Sequence, residues 1–205
     1  MAAVEPDLSK HRNLKPDALE AGDRLLFRIS PLVRITLLGL YATLLFPVPV
    51  LAQVTAAPIS PGLLSFGVLV GGVLLYGALA ERVIVDNSSI QVAYPKWVPT
   101  LLRSGWSLRW SDIDALKPRS TGQGGIVYYF VSTAGDRAYL LPMRVAGFSK
   151  LVSYVQLKTD IDTTDVRPLA QPWMYIILLG LTLILGMVDV EVLWMALSHQ
   201  FPPPL

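Results

Sequence analysis

The chain has no cysteine and only two histidines. The lack of cysteine excludes a disulfide framework, a thiol nucleophile and a thiolate metal site. Charge is also scarce, because 16% of the residues are Asp, Glu, Lys or Arg, against about 25% in an average soluble domain. A net charge of +2 is too small to indicate nucleic-acid binding. Hydrophobic residues make up 53% of the chain, which places it among membrane proteins.

Charged side chains are completely absent from residues 35–80. A single helical crossing of a bilayer needs about 20 apolar residues, so this run is long enough to cross twice. Turn-forming residues at 53–62 divide the run and predict a transmembrane helical hairpin over residues 31–80. Pro47 and Pro49 lie near the end of the first helix and predict a kink or an early end there, because proline removes a backbone donor.

Residues 81–167 have a different character and contain most of the basic residues. Short segments such as 106–110 alternate apolar and polar side chains, and turn residues separate them, which is typical of antiparallel strands. From residue 145 to residue 158 the apolar positions recur at helical spacing, which predicts an amphipathic helix. We therefore predict a compact module of antiparallel strands closed by one helix.

A third apolar segment begins at residue 168 and carries no charge as far as residue 188. It predicts a third transmembrane helix and a short tail over residues 168–205. Asp189 and Glu191 follow, and two interpretations are open. They are ordinary boundary charges if the helix ends before them, or intramembrane carboxylates that need partners if the helix continues past them.

The N-terminal segment, residues 1–30, mixes acidic and basic residues and also allows two interpretations. A helix from about residue 16 to residue 29 lies on the membrane surface, or the segment is a solvated tail. All 17 Lys and Arg residues lie before residue 168. The positive-inside rule then predicts a cytoplasmic N-terminus and module, with the C-terminus on the opposite side of a plasma or thylakoid membrane.

We find no arrangement of residues that predicts catalysis. His11 and His199 lie at opposite ends of the chain, and no spacing indicates a metal site. The glycine-rich stretch at 122–125 lacks the Lys and Ser/Thr of a phosphate-binding loop. The sequence therefore predicts no enzyme and no required cofactor, with His199 as a candidate ligand for a chlorophyll magnesium.

The candidate functional residues are contact residues rather than catalytic ones. Gly67 and Gly71 form a small-xxx-small pattern that allows close helix packing, although glycine is common in membrane helices anyway. Basic residues of the module face anionic headgroups if the module lies at the membrane surface, where each contributes about 1 kcal/mol. The predicted partner or lipid contacts are Gly67, Gly71, Lys96, Arg103, Arg119, Tyr128, Arg144, Asp189 and Glu191.

Five motifs resemble the PH-like modules of small bacterial membrane proteins: ERVIV at 81–85, WSDIDAL at 110–116, VYYFV at 127–131, LLP at 140–142 and AGFSKLV at 146–152. In those proteins a pair of helices leads directly into the β-module. The resemblance implies a fold more than an activity, because such folds carry many functions. It implies no catalytic residue for this chain.

Residues 119–130 and 140–148 also resemble an uncharacterised cyanobacterial membrane family. The layout of two spans followed by a β-module is similar to the photosystem I assembly factor of cyanobacteria and plastids, which lacks a third span after the module. This resemblance implies a role in the assembly of a membrane complex, with the thylakoid as the membrane.

We therefore expect a membrane α+β protein with three transmembrane helices and an inserted antiparallel β PH-like module, over residues 81–167, closed by one amphipathic helix. The leading hypothesis for its function is a non-enzymatic scaffold or assembly factor that docks a larger, photosynthetic membrane complex through the module. The alternative is a lipid- or pigment-binding membrane protein. Membrane lipids are expected partners in both cases.

Overall fold

The computed structural model of the chain describes residues 24–98, 104–122, 125–135, 137–166 and 172–200. Within these residues, three helical segments are long and apolar enough to cross a membrane, which supports the classification as a membrane protein. They are Pro31–Val54, Pro61–Ala78 and Trp173–Ser198.

The first of these segments is broken by proline, as the sequence predicts. Helix α1 covers Pro31–Leu45 and helix α2 covers Pro47–Val54, with a turn at Phe46 between them. Pro47 has no N–H group, so the ladder of helical hydrogen bonds cannot continue through it. Helix α3 then returns over Pro61–Ala78.

The last apolar helix continues well past the carboxylates near its end. We label it α5; it covers Pro172–Gln200. Asp189 and Glu191 therefore lie inside a candidate membrane span. The helix does not end before these two residues, so the interpretation of Asp189 and Glu191 as intramembrane carboxylates stays a prediction.

The β-module consists of two antiparallel sheets and one helix. The first sheet contains β1 (Leu25–Arg28), β2 (Arg82–Val85), β3 (Ser89–Ala93) and β4 (Trp106–Arg109) in that order. The second sheet contains β5 (Ile113–Ser120), β6 (Ile126–Ser132) and β7 (Ala138–Leu140), again in chain order. Helix α4 (Phe148–Thr159) follows the second sheet. The predicted strands and the predicted amphipathic helix are thus confirmed, with ends that differ by a few residues.

Strand β1 corrects the interpretation of residues 16–29 as a surface helix. Leu25–Arg28 is a strand that pairs with β2, with Leu25 opposite Val85. Phe27 is buried while its neighbours Leu26 and Arg28 are exposed, which is the alternation of a strand rather than of a helix. The module therefore includes β1, which the sequence prediction had assigned to the separate N-terminal segment 1–30. Residues 1–23 lie outside the described part.

The core of the module lies between the two sheets and α4. Its largest fully buried side chains come from all three layers: Ile90 from the first sheet, Phe130 from the second, and Leu151 from α4. Phe148, Val152 and Val155 of α4 belong to the same buried cluster. The apolar stripe of α4 therefore closes the module, as its helical periodicity predicts.

Helices α1 and α5 pack closely and run in the same direction. A Cβ atom added to Gly39 would lie 3.4 Å from Thr182 Cγ2, and one added to Gly186 would lie 3.2 Å from Thr43 Cγ2. The contacts advance together along both helices, which makes the pair parallel. Small residues at such positions allow the backbones of membrane helices to approach closely.

A partly buried hydrogen bond joins helix α3 to α1. The Tyr41 hydroxyl donates to the Val68 carbonyl oxygen over 2.7 Å. Gly71 lies directly against this hydroxyl, because a Cβ atom added there would overlap it, whereas a Cβ atom added to Gly67 would have no neighbour within 4 Å. One residue of the predicted small-xxx-small pair is thus a packing position within the chain, and the other is open.

We predict that Gly71→Ala lowers the thermal stability of the detergent-solubilised protein, while Gly67→Ala leaves it nearly unchanged. The added methyl group displaces the Tyr41 hydroxyl and breaks its hydrogen bond, which is worth about 1 kcal/mol in a membrane helix pair. Tyr41→Phe removes the hydroxyl and makes room for the methyl group. Equal destabilisation by Gly71→Ala in the wild-type and Tyr41→Phe backgrounds would contradict the proposed contact.

The β2–β3 hairpin is closed by the carboxylate of Asp86. Its Oδ1 accepts hydrogen bonds from the Ser88 N–H over 2.9 Å and from the Ser89 N–H over 2.7 Å. The Trp110 indole N–H donates to the Asp86 carbonyl oxygen over 2.9 Å, which ties the turn to the region after β4. The hydrogen bonds from Ser88, followed by those from Ser89, lower the pKa of Asp86 below its usual value of 3.8.

We predict that part of the acid sensitivity of the module comes from Asp86. Because folding lowers its pKa, its contribution to stability is complete above about pH 4 and is lost as the pH falls through the folded-state value. Asp86→Asn should therefore flatten the dependence of the melting temperature on acid pH. Asp114→Asn, at an exposed position on β5, is the control, and an identical flattening by both variants would be evidence against the assignment.

Candidate functional site

The entry of the chain into its first span is joined directly to the module. The Ser30 N–H donates to the Arg144 carbonyl oxygen over 3.1 Å, and the Ala146 N–H donates to the Arg28 carbonyl oxygen over 2.8 Å. Through these bonds, the end of β1 and the residues just after it pair with the segment that leads into α4. The beginning of α1 and the beginning of α4 are thereby held side by side.

A crevice of about 930 Å³ lies at this junction. Its walls come from the first turn of α1, the segment before α4, the outer face of α4, the loop after α4 and the first turn of α5. The lining residues are Ser30, Leu32, Val33, Met143, Arg144, Val145, Ala146, Gly147, Phe148, Ser149, Val152, Ser153, Gln156, Thr163, Thr164, Val166 and Tyr175. We call this space the junction crevice.

The polar side of the junction crevice favours an anion. Arg144 is exposed and is the charged residue among the lining residues. Gly147 precedes the first turn of α4, and its φ of +76° turns the chain into the helix. The first residues of α4 line the crevice, so the N-terminus of this helix lies beside it. A helix N-terminus carries a partial positive charge that attracts anions.

The far end of the junction crevice is neutral and hydrogen-bonded. Thr163 is buried, and its hydroxyl donates to Gln156 Oε1 over 2.8 Å. The nearby carboxylate of Asp162 accepts hydrogen bonds from the hydroxyl and the N–H of Thr164, and these lower its pKa below the usual 3.8. Asp162 is not itself a lining residue, but its carboxylate is hydrogen-bonded to Thr164, which is one.

The apolar side of the junction crevice lies where the spans begin. Leu32 and Val33 belong to the first turn of α1, and Tyr175 belongs to the first turn of α5. The Thr36 hydroxyl donates to the Tyr175 carbonyl oxygen over 3.4 Å, which fixes the two helix starts to each other. The crevice thus lies beside the beginnings of two candidate membrane spans.

A second group of side chains lies where α1 begins and α3 ends. The Arg34 guanidinium lies 4.4 Å from the centre of the Tyr76 ring, a cation–π distance. The Tyr76 ring stacks on Trp97 with 6.0 Å between ring centres, and the Trp97 ring covers Gly77 at the end of α3. Tyr and Trp are typical of the membrane–water interface, which supports this placement of the boundary.

The structure separates the predicted basic contact residues. Arg144 lines the junction crevice, Lys96 is exposed beside Trp97, and Arg119 is exposed on β5. Arg103 lies outside the described residues. These three described side chains come from three different parts of the module, so they contribute separately to its basic surface.

The structure describes the surroundings of Tyr128 and part of the glycine-rich 122–125 loop. Tyr128 is buried in the core, and its hydroxyl donates to the Asp165 carbonyl oxygen over 2.7 Å. The prediction that it contacts a partner is therefore wrong, because the side chain is enclosed by its own module.

In the 122–125 loop, the Thr121 N–H donates to the Gly125 carbonyl oxygen over 2.7 Å, and Gln123 and Gly124 lie outside the described residues.

The predicted residues of the last helix lie far from the junction crevice. Asp189 is partly buried and Glu191 is exposed, both near the end of α5 that is remote from the module. His199 lies in the last turn of α5, and its side chain is outside the described part. The structure does not bring the carboxylates together with the basic residues of the module.

The sequence interpretation missed the small residues that bring α1 and α5 together. Gly39 and Thr43 stand four positions apart, as do Thr182 and Gly186. Both pairs are small-xxx-small patterns of the kind recognised at Gly67, so the signal was present in the sequence. It also missed the polar lining of the junction crevice, which no local pattern indicates because its residues come from distant segments.

Comparison with known proteins identifies a relative that matches most of the chain. The uncharacterized protein slr0269 of the cyanobacterium Synechocystis sp. is 52% identical to this chain over 170 residues, which is 82% of this chain and 85% of the relative. No protein-family profile matches the chain, and no solved structure matches it. The identity and the coverage together confirm the predicted resemblance to an uncharacterised cyanobacterial family, and the chain belongs to the family of that Synechocystis protein.

Proposed function

We propose that this protein is a non-enzymatic membrane protein that binds the headgroup of an anionic lipid in the junction crevice. The observation that carries the proposal is the position of the crevice, between the module and the first turns of α1 and α5. A site at this level meets a lipid headgroup without the lipid having to leave the bilayer. Of the two functions expected from the sequence, the geometry favours lipid binding.

The charge of the junction crevice supports an anionic ligand. Arg144 supplies a positive charge at the membrane surface, worth about 1 kcal/mol with an anionic membrane. The N-terminus of α4, at Gly147, adds about 0.3–1 kcal/mol for a negatively charged group near it. Ser30, Ser149 and Ser153 line the crevice and bring hydroxyl groups to the same space.

The apolar wall of the junction crevice supports a lipid rather than a soluble anion. Leu32, Val33 and Tyr175 form this wall where the spans begin, and Trp173, two residues before Tyr175, is exposed. Acyl chains beside these side chains remain in contact with the apolar surface of α1 and α5. A soluble anion gains nothing from that surface.

The wider expectations for the protein belong to the same proposal. Two antiparallel sheets followed by one closing helix support a PH-like classification of the module. The distribution of Lys and Arg favours a cytoplasmic module and N-terminus, with the C-terminus across the membrane. A thylakoid or plasma membrane of a cyanobacterium is the setting that the Synechocystis relative suggests.

The proposal predicts that the full-length protein in detergent binds a short-chain anionic phospholipid, dioctanoyl phosphatidylglycerol, more tightly than dioctanoyl phosphatidylcholine. Arg144→Ala should weaken phosphatidylglycerol binding about fivefold, the equivalent of about 1 kcal/mol. Native mass spectrometry of the protein with increasing lipid gives both affinities.

Two further variants make this experiment decisive. Arg119→Ala removes an exposed arginine of β5 and should change the affinity less than twofold, as a matched control for net charge. Ser149→Leu places a larger apolar side chain on the crevice wall and should weaken binding of both lipids. Equal affinity for the two lipids, or equal effects of Arg144→Ala and Arg119→Ala, would contradict the proposal.

Docking onto a larger membrane complex is a second candidate function, and one observation favours it. Gly67 occupies a small-xxx-small position on α3 and has open space around it, which suits close packing by a helix of another protein.

We predict that affinity purification from native membranes recovers a membrane-protein partner with the wild type and less of it with Gly67→Leu. If the wild type recovers no stable partner, docking is not its function.

A further inference from the structure

The turn at residues 95–98 lies directly on the end of helix α3. The Val98 N–H donates to the Pro95 carbonyl oxygen over 3.0 Å, which closes the turn. A Cβ atom added to Gly77 would lie 3.0 Å from Trp97 Cη2 and 3.1 Å from Val98 Cγ2. Both side chains therefore cover the backbone of α3 one residue before the helix ends, where the lack of a side chain makes room for them.

The pairing of β2 with β3 explains why this turn meets the helix. Strand β2 begins at Arg82, four residues after the last residue of α3. Strand β3 runs antiparallel to β2, and its last residue, Ala93, lies opposite Arg82. The 95–98 turn begins two residues later. The hairpin thus returns the chain to the place where it left α3.

Arg34 and Tyr76 extend this contact to the first turn of α1. The Tyr76 and Trp97 rings are stacked, with 6.0 Å between their centres and 21° between their planes. The Arg34 guanidinium lies 4.4 Å from the centre of the Tyr76 ring, where the ring electrons attract a cation. Tyr76 is 46% exposed and Trp97 is 49% exposed, so the stack is a surface feature rather than part of the core.

The length of α3 fixes the level of this stack in any bilayer that α3 crosses. The helix has 18 residues and is therefore about 27 Å long at about 1.5 Å per residue. The hydrocarbon core of a bilayer is about 30 Å thick, so both ends of α3 must lie at its boundaries. The ring stack at Gly77 is then at the level of the headgroups. Tyr and Trp rings favour this layer, and a basic side chain there attracts lipid phosphate groups.

We infer that the 95–98 turn anchors the module to the surface of an anionic phospholipid bilayer. Trp97 and Tyr76 insert into the interfacial layer beside α3, and Arg34 contacts the phosphate groups above them. The anchor does not depend on lipid binding in the junction crevice, because Arg34, Tyr76 and Trp97 do not line that space. It sets the orientation of the module, since it holds one end of the first sheet against the membrane.

Fluorescent labels on single cysteines test the anchor in the full-length protein, because the natural chain has no cysteine. Lys96 is an exposed residue of the turn. Ser111 is also exposed, next to Trp110, whose N–H donates to the Ser88 carbonyl oxygen at the opposite end of the β2–β3 hairpin. Lys96→Cys and Ser111→Cys each carry a nitrobenzoxadiazole label in vesicles of phosphatidylglycerol and phosphatidylcholine.

A phospholipid with a nitroxide in its headgroup region should quench the label at position 96 at least about twofold more than the label at position 111. Adding Trp97→Ser to Lys96→Cys should remove most of this difference, whereas Trp97→Phe, which keeps a ring on Tyr76, should retain most of it. Trp194→Ser, at an exposed position near the other end of α5, is the matched control and should leave it unchanged. Equal quenching at the two positions, or equal effects of Trp97→Ser and Trp194→Ser, would overturn the anchor.

The lipid composition tests the role of Arg34 separately. Replacing the phosphatidylglycerol by phosphatidylcholine should weaken the quenching at position 96, and this dependence should be lost in Arg34→Gln. A dependence that persists in Arg34→Gln would refute the phosphate contact. Arg144→Ala acts in the junction crevice and should not change the quenching at position 96, so failure of the anchor and failure of the crevice site are seen separately.

Discussion

The structure depends on the main-chain pairing between residues 28–30 and residues 144–146. This short antiparallel contact, with Ile29 opposite Val145, ties the strand that enters the first span to the segment that begins α4. It makes the module an extension of the spans rather than a domain on a loose linker. This pairing holds the beginnings of α1 and α4 side by side, and the junction crevice lies between them.

The spans obey a second constraint, which is the lack of water to satisfy polar groups. The hydroxyl groups of Tyr41 and Thr36 each donate to a carbonyl oxygen of another helix, and the hydroxyl of Thr182 donates within its own helix. These bonds and the close approach at Gly39 and Gly186 hold three helices that otherwise present apolar surface to lipid. The Oδ2 atom of Asp189 is the exception among the described side chains, because it is buried and has no hydrogen-bond partner.

Much of the architecture could be predicted from local patterns. Apolar run length indicated the spans, proline indicated the break at Phe46, and alternation and periodicity indicated the strands and the amphipathic helix α4.

Strand β1 was misinterpreted because Leu25 and Leu26 fit both a helical stripe and a strand, and only pairing with β2 decides between them. Tyr128 was misassigned because an aromatic residue in a strand faces the core or the solvent according to register, which a single strand does not reveal.

Local patterns were enough to predict three membrane-compatible segments and a β-rich module between the second and the third, because hydrophobicity and periodicity are local properties. It takes the fold to show that β1 belongs to the module and that Arg144 lines one crevice together with the first turns of α1 and α5. Each of these relationships joins residues from distant parts of the chain. Packing and main-chain pairing bring such residues together, and no local pattern in the chain encodes their meeting.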